Sequence, residues 1–159
     1  NREQANALTL ATRLHDIGKI GVPGSILGKK DRLSPAELNI IRRHPDMGTR
    51  ILQEAEQIHD LISAILYHHE RWDGRGYPEG LKGDEIPLTA RIVGILDAYR
   101  AMRFDRPYRK ALSLQMIIAE LKSAAGTQFD PELVEVFIDI IGNEASNEGN
   151  NSTNIKKVS

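Results

Sequence analysis

Cysteine is absent from this chain of 159 residues, which excludes disulfide staples and thiolate zinc sites. Charge of one sign is lacking too. Lys and Arg total 21 against 22 Asp and Glu, a formal net charge of −1. No global field gathers nucleic acid, so no DNA partner is expected, and an anionic ligand must be held by local charges. No apolar run approaches the roughly 20 residues of a membrane-crossing helix, and no secretory leader is visible. These absences predict a cytoplasmic protein. The chain opens on Asn1 rather than Met, which predicts a piece of something longer.

What is present is ordinary in amount and specific in order. Hydrophobic residues make up 40% and charged residues 27%, as in a soluble globular domain. A chain of this length buries roughly two thirds of its unfolded surface in one core. Ala5, Leu8, Ala11 and Leu14 recur at helical spacing. Gly18, Gly21, Pro23 and Gly24 then predict a loop. Ser34-Pro35-Ala36-Glu37 reads as a capping box with proline at the first helical position. That helix is predicted to run to about 43 and break at His44-Pro45. Further helices are expected over about 48–55, 58–69, 88–102, 114–124 and 131–141, the last two capped by Ser113 and Asp130. The stretch 73–87 holds Gly74, Gly76, Pro78, Gly80, Gly83 and Pro87, too many breakers for a helix. No alternating strand stands out and there is no internal repeat. The expected architecture is one all-α bundle over 1–141, with room for a minor two-stranded patch in a loop. The segment 142–159, rich in Asn, Ser, Gly and Glu, is expected to be disordered.

The sharpest chemical signal lies in the five histidines. Four stand beside other metal-ligand types or each other: His15-Asp16, His44-Pro45 and His68-His69. His59 has no such setting and reads as an ordinary side chain. Asp97 interrupts an otherwise apolar helix between Leu96 and Ala98. A buried, unpaired carboxylate there would be costly, and a metal partner removes that cost. Adjacent helical residues point about 100° apart, so His15 and Asp16 can reach two neighbouring cations, or one cation from two sides. Imidazoles mixed with carboxylates suit Fe, Mn, Zn or Ni better than Ca or Mg. A paired-metal site of this type clamps phosphate esters for in-line attack by water.

The ordered motifs carry a resemblance. The segment from His15 through Lys19 to Pro23, HDIGKIGVP, resembles the signature of the HD superfamily of metal-dependent phosphohydrolases, in its HD-GYP branch. The segment from His68 to Pro78, HHERWDGRGYP, resembles the element that names that branch. Residues 80–87, 105–109 and 126–131 continue the likeness, which covers about residues 3 to 141. The resemblance implies hydrolysis of cyclic di-GMP to the linear dinucleotide pGpG, to GMP, or to both, in bacterial second-messenger signalling; cyclic GMP-AMP is the other substrate it implies. It implies two or three iron or manganese ions, held by His15, Asp16, His44, His68, His69 and Asp97. By position, Asp16 and Lys19 are the catalytic residues and Lys19 contacts phosphate. Arg106 and Arg109 match basic positions that hold the ligand's phosphates. Gly76, Tyr77 and Pro78 line the substrate pocket, with Tyr77 placed to stack on guanine and Gly76 letting the backbone come close. An upstream receiver or sensor domain and a second copy are the implied protein partners.

Two departures qualify the likeness. The family has an earlier helix with a further histidine ligand, and this chain begins after it. Its absence is expected to leave an apolar flank open to self-association or a partner. The second departure is Arg100, where the family has an aspartate; it lies one turn from Asp97 on the same helical face. Three readings follow: an active phosphodiesterase, a degenerate or truncated domain that binds a nucleotide or a signalling protein without turnover, and an enzyme acting on mononucleotides. The Gly76-Tyr77-Pro78 loop argues against the last.

Overall fold

The computed structural model describes residues 2–53, 59–105 and 109–155. Among them are eight α-helices: α1 (Arg2–Leu14), α2 (Gly24–Leu27), α3 (Pro35–Ile41), α4 (His44–Leu52), α5 (His59–Tyr67), α6 (Leu88–Arg103), α7 (Leu114–Ala124) and α8 (Pro131–Ile155). The fold is all-α, as its periodicity predicts. The two-stranded patch shrinks to one isolated parallel bridge, Ala125 to Phe129. Two residues in ladder register are too few to count as strands.

Local chemistry sets the helix starts. The Ser34 hydroxyl accepts from the Glu37 amide, and the Glu37 carboxylate accepts from the Ser34 amide at 2.7 Å, the reciprocal capping box. Ser113 accepts from the Met116 amide. Asp130 Oδ1 accepts from the Glu132 amide at 3.0 Å, which leaves its other oxygen for a guanidinium. Where the glycines at 18, 21 and 24 predict plain loop, the chain forms a 3-10 turn (Ile17–Gly21) and then α2. The helix expected from 48 begins at His44 instead, with Pro45 in its first turn, where proline lacks only a donor that would be unused. At the other end, helical backbone continues past residue 141 to Ile155, where composition predicts disorder. Propagating an existing helix costs far less than nucleating one.

Two clusters form the core. Ala11, Leu61, Ala64 and Val93 join α1, α5 and α6. Ile95, Ile117, Leu121, Phe129, Val134 and Ile141 join α6, α7 and α8. Each fully buried aliphatic of this size contributes about 1.5–3 kcal/mol. α6 belongs to both clusters through Val93 and Ile95, so it is the spine that carries Asp97. On its outer side Ile92 and Leu96 line an open apolar groove with Val136, Phe137 and Ile140 of α8. Gly18 fixes the packing of the other half. A Cβ there would collide with the His44 carbonyl and the Gly48 amide. Only glycine lets the 3-10 turn lie against α4, which brings Asp16 beside His44.

Candidate metal centre

The residues singled out from the sequence lie where helices stop. α1 ends at Leu14 and α5 at Tyr67, so His15-Asp16 and His68-His69 occupy the turns just beyond. His44 opens α4 shortly after α3 ends. A helix C-terminus leaves its last carbonyls without internal partners. Three histidines use them. His15 Nδ1 donates to the Thr12 carbonyl at 2.8 Å, His44 Nδ1 to Ile41 at 2.8 Å and His68 Nδ1 to Ile65 at 2.7 Å. A carbonyl only accepts, so each Nδ1 carries the hydrogen and each Nε2 presents a lone pair. Helix C-termini also carry partial negative charge, which favours a cation nearby.

The lone pairs converge. One ligand atom from each of Asp16, His44, His68 and His69 lies within 4.8 Å of the others. His44 Nε2 is 3.3 Å from Asp16 Oδ1 and 3.4 Å from His68 Nε2. His15 and Asp97 adjoin this group: His15 Nε2 is 3.4 Å from Asp16 Oδ2 and 3.6 Å from Asp97 Oδ1. All six predicted ligands therefore meet in one place. Asp97 is half-buried, with 35% of its side chain exposed.

Electrostatics agree with a cation site. Burial holds His68 down at about 3 and His69 at about 4, so both are neutral, and ready to ligate, at neutral pH. Burial also opposes charge on His15, but Asp97, Asp16 and the Thr12 carbonyl together raise it. For Asp16, burial is outweighed by the adjoining His44 imidazole and the hydrogen bond from Lys19, which hold the carboxyl well below the usual range. The neighbouring His15 imidazole lowers Asp97. Two buried atoms here, His15 Nε2 and Asp16 Oδ1, have no hydrogen-bond partner. An orphaned imidazole nitrogen and an orphaned carboxylate oxygen, face to face with neutral imidazoles, fit a divalent metal and little else. The cluster could hold a metal ion.

The remaining predicted residues fall in several places. Lys19 Nζ donates to Asp16 Oδ2 at 2.7 Å, one bond from the centre. Tyr77 stacks on His69, with ring centroids 4.8 Å apart at 27°. The Arg42 guanidinium lies 5.5 Å over the same ring, so this ring is already engaged. Gly76 permits a close approach, but to its own chain. A Cβ there would strike the Glu70 Cα, the Arg71 amide and the His69 carbonyl. Pro78 is exposed and follows a cis peptide. Arg109 donates to the Ala101 carbonyl at 2.6 Å, capping the end of α6. Arg106 and the backbone of 106–108 lie outside the described residues. Arg100 is exposed and ion-paired with no acid among the described residues, so it does not compete for Asp97.

A cavity of about 340 Å³ adjoins the centre, reached by His68, His69 and Asp97. The 73–87 loop forms part of its wall through Arg75, Gly76, Tyr77 and Ile86. The loop is pinned by the Trp72 amide on Gln128 and the Asp73 amide on Thr127, and by Glu70 Oε1, which accepts from the Glu79 and Gly80 amides. Sequence reasoning gave no role to Glu70 or to the cavity arginines, Arg42, Arg71, Arg75 and Arg91. A signal existed for two of these arginines, since Arg71 and Arg75 stand inside the His68–Pro78 motif.

Comparison with known proteins gives the same picture. A model of the HD domain family matches residues 1–133. The chain is 39% identical over 140 residues to a cyclic di-GMP phosphodiesterase response regulator of Xanthomonas campestris pv. campestris, covering 87% of this chain and 37% of that protein. It is 44% identical over 133 residues to a cyclic di-GMP phosphodiesterase of Thermotoga maritima, covering 82% of this chain and 36% of that protein. The chain thus spans well under half the length of these relatives. Its fold is similar to the crystal structure of a cyclic GMP-AMP specific phosphodiesterase of Vibrio cholerae, with TM-score 0.67 and 20% identity over 90% of this chain and 39% of that one.

Proposed function

The chain belongs to the HD domain family, in the HD-GYP branch whose motifs it carries, and we propose that it hydrolyses a phosphodiester of a cyclic dinucleotide, cyclic di-GMP foremost, in a metal-dependent reaction. One observation carries this reading: three imidazoles locked by helix-end carbonyls turn their Nε2 atoms toward the ionised Asp16. His15, Asp16, His44, His68, His69 and Asp97 would hold two or three divalent ions, iron or manganese before zinc or nickel, which would supply Lewis acidity and an acidified water.

The chain's own groups do the rest. Asp16 turns Oδ1 toward His44 and Oδ2 toward His15, so both of its oxygens would be available to hold metal. Lys19, held by Asp16, brings a point charge to the reacting phosphate. Tyr77, fixed on His69, borders the space where a base lies, with Gly76 and Pro78 shaping that edge. Arg106 and Arg109 complete the binding residues named by resemblance; the Ala101 tether favours a lesser part for Arg109. Products are pGpG, GMP or both. The substrate is a second messenger, so the place of action is the cytoplasm. Control would come from an upstream receiver or sensor domain, or from a second copy.

The deciding experiment is metal analysis of the purified chain beside a cyclic di-GMP turnover assay. Bound iron or manganese, together with turnover that a chelator abolishes and added metal restores, is the expected result. Turnover that is indifferent to chelation removes the reading.

A further inference from the structure

The cavity beside the metal centre is lined by four arginines, Arg42, Arg71, Arg75 and Arg91, but their charges are not equally available. Arg71 is gripped by both oxygens of Asp73, at 3.1 and 2.9 Å. Arg91 NH1 sits between Asp84 and Asp130, at 2.9 and 2.8 Å. These two are tied into the wall, and charge already spent on a carboxylate fork is not available to a ligand.

Arg42 and Arg75 differ. Both are exposed, and neither forms an ion pair with any described carboxylate. Asp73, whose field reaches Arg75, is already held by Arg71. Arg42 lies over Tyr77, and Tyr77 lies on His69, so the Arg42 guanidinium is linked through one ring to a histidine of the cluster. Two guanidiniums paired with no acid among the described residues line a cavity reached by His68, His69 and Asp97, and each offers a planar donor fork for an anion beside the candidate metal centre.

A cyclic dinucleotide carries two phosphodiesters, and only one can react at a time. The other remains charged and needs a partner. We propose that Arg42 and Arg75 grip the non-reacting phosphate while its twin lies at the metal centre. The proposal rests on the cyclic-dinucleotide reading above, and its test is arranged so that the two can fail separately.

The metal-loaded chain is titrated by calorimetry with a phosphorothioate analogue of cyclic di-GMP that resists hydrolysis. A charge-assisted hydrogen bond to phosphate is worth about tenfold or more in affinity. Arg42→Gln and Arg75→Gln should each weaken binding roughly tenfold, and the double variant about a hundredfold. Arg42→Lys should fall between, keeping the charge and losing the fork. In turnover, KM for cyclic di-GMP should rise by similar factors. The preference in kcat/KM for cyclic di-GMP over bis(p-nitrophenyl) phosphate, which has one phosphate, should shrink accordingly. Equal binding by the double variant, or no binding by the parent chain, overturns the proposal. A parent that binds the analogue, loses it in the variants and turns over neither diester supports the pair and sinks the hydrolase reading.

Discussion

The candidate metal centre opens on two sides, both lined by histidine, aspartate and arginine. On one side lies the 340 Å³ cavity partly walled by the 73–87 loop. On the other a more open cleft of about 370 Å³ is lined by His15, Asp16, Asp97, Arg100, Ala101, Phe104 and Asp105. Both reach Asp97. The cavity has more cations, yet Arg71 and Arg91 are neutralised within the wall. The cleft has Arg100, ion-paired with no acid among the described residues. The difference teaches that pairing, and not the number of arginines, decides where positive charge is free to meet a phosphate.

Asp16 is the carboxylate of the four-residue ligand cluster, so its loss should have the largest effect. It faces His44 through one oxygen and His15 through the other. Asp16→Ala removes the shared carboxylate from both. Losing an outer-shell partner of a metal ligand already costs about 10–100-fold; losing this ligand should cost more, with metal content falling in parallel. The metal-free protein should keep its fold, because Asp16 Oδ1 is buried without a hydrogen-bond partner and Oδ2 accepts from Lys19, whose side chain is 38% exposed. Metal analysis and turnover check the first statement, and thermal melting under chelation checks the second. Turnover within tenfold of the parent, with metal still bound, would separate Asp16 from the chemistry and end the two-sided description.

How far the site was legible follows from the same geometry. The side chains of the cluster could be read because metal chemistry restricts residue type: His-Asp and His-His at helix ends and an Asp within an apolar helix single themselves out. The capping box at Ser34 and the breaker-rich loop were equally plain, since both are local. What escaped is non-local. Nothing near Gly76 reveals that its missing side chain makes room for the backbone of residues 69–71, 5–7 positions earlier. Nothing near Asp97 reveals that two core clusters leave it half-exposed. The arginines were visible as residues but not as paired or free, because Arg91 meets Asp130, 39 positions away. The likeness to a known branch named Arg106 and Arg109, and passed over Arg42.

Gly76→Ala tests the cavity side alone, with an intermediate effect. The added methyl meets backbone atoms of Glu70 and Arg71 and the His69 carbonyl, none of which can swing aside like a flexible side chain. Overpacking of this kind costs about 1–3 kcal/mol, which for a chain of this size lowers Tm by roughly 3–10 °C. Displacing the loop should raise KM for the dinucleotide, while metal content falls less than in Asp16→Ala, because His15, His44 and Asp16 sit on other elements. Calorimetric melting with parallel metal analysis reads both quantities. An unchanged Tm would mean that the loop is free to shift, and the cavity wall would no longer count as fixed.

The smallest effect belongs to the cleft. Arg100 stands one helical turn from Asp97 on α6, so their side chains share a face. A guanidinium near a cation site disfavours the cation, and exposure to water screens that repulsion to a modest size. Arg100→Asp reverses the sign and adds an oxygen donor on the same face. Metal affinity should rise about threefold to tenfold, on the scale of screened charge interactions of about 1 kcal/mol, read by competition with a calibrated chelator. If the cleft is only a flank of the metal centre, turnover at saturating metal should change little beside that rise. If Arg100 instead meets phosphate from the cleft side, KM should increase even as metal binds more tightly. The two responses move in opposite directions on the same variant, so one substitution decides whether this chain handles its substrate from one side of the centre or from both.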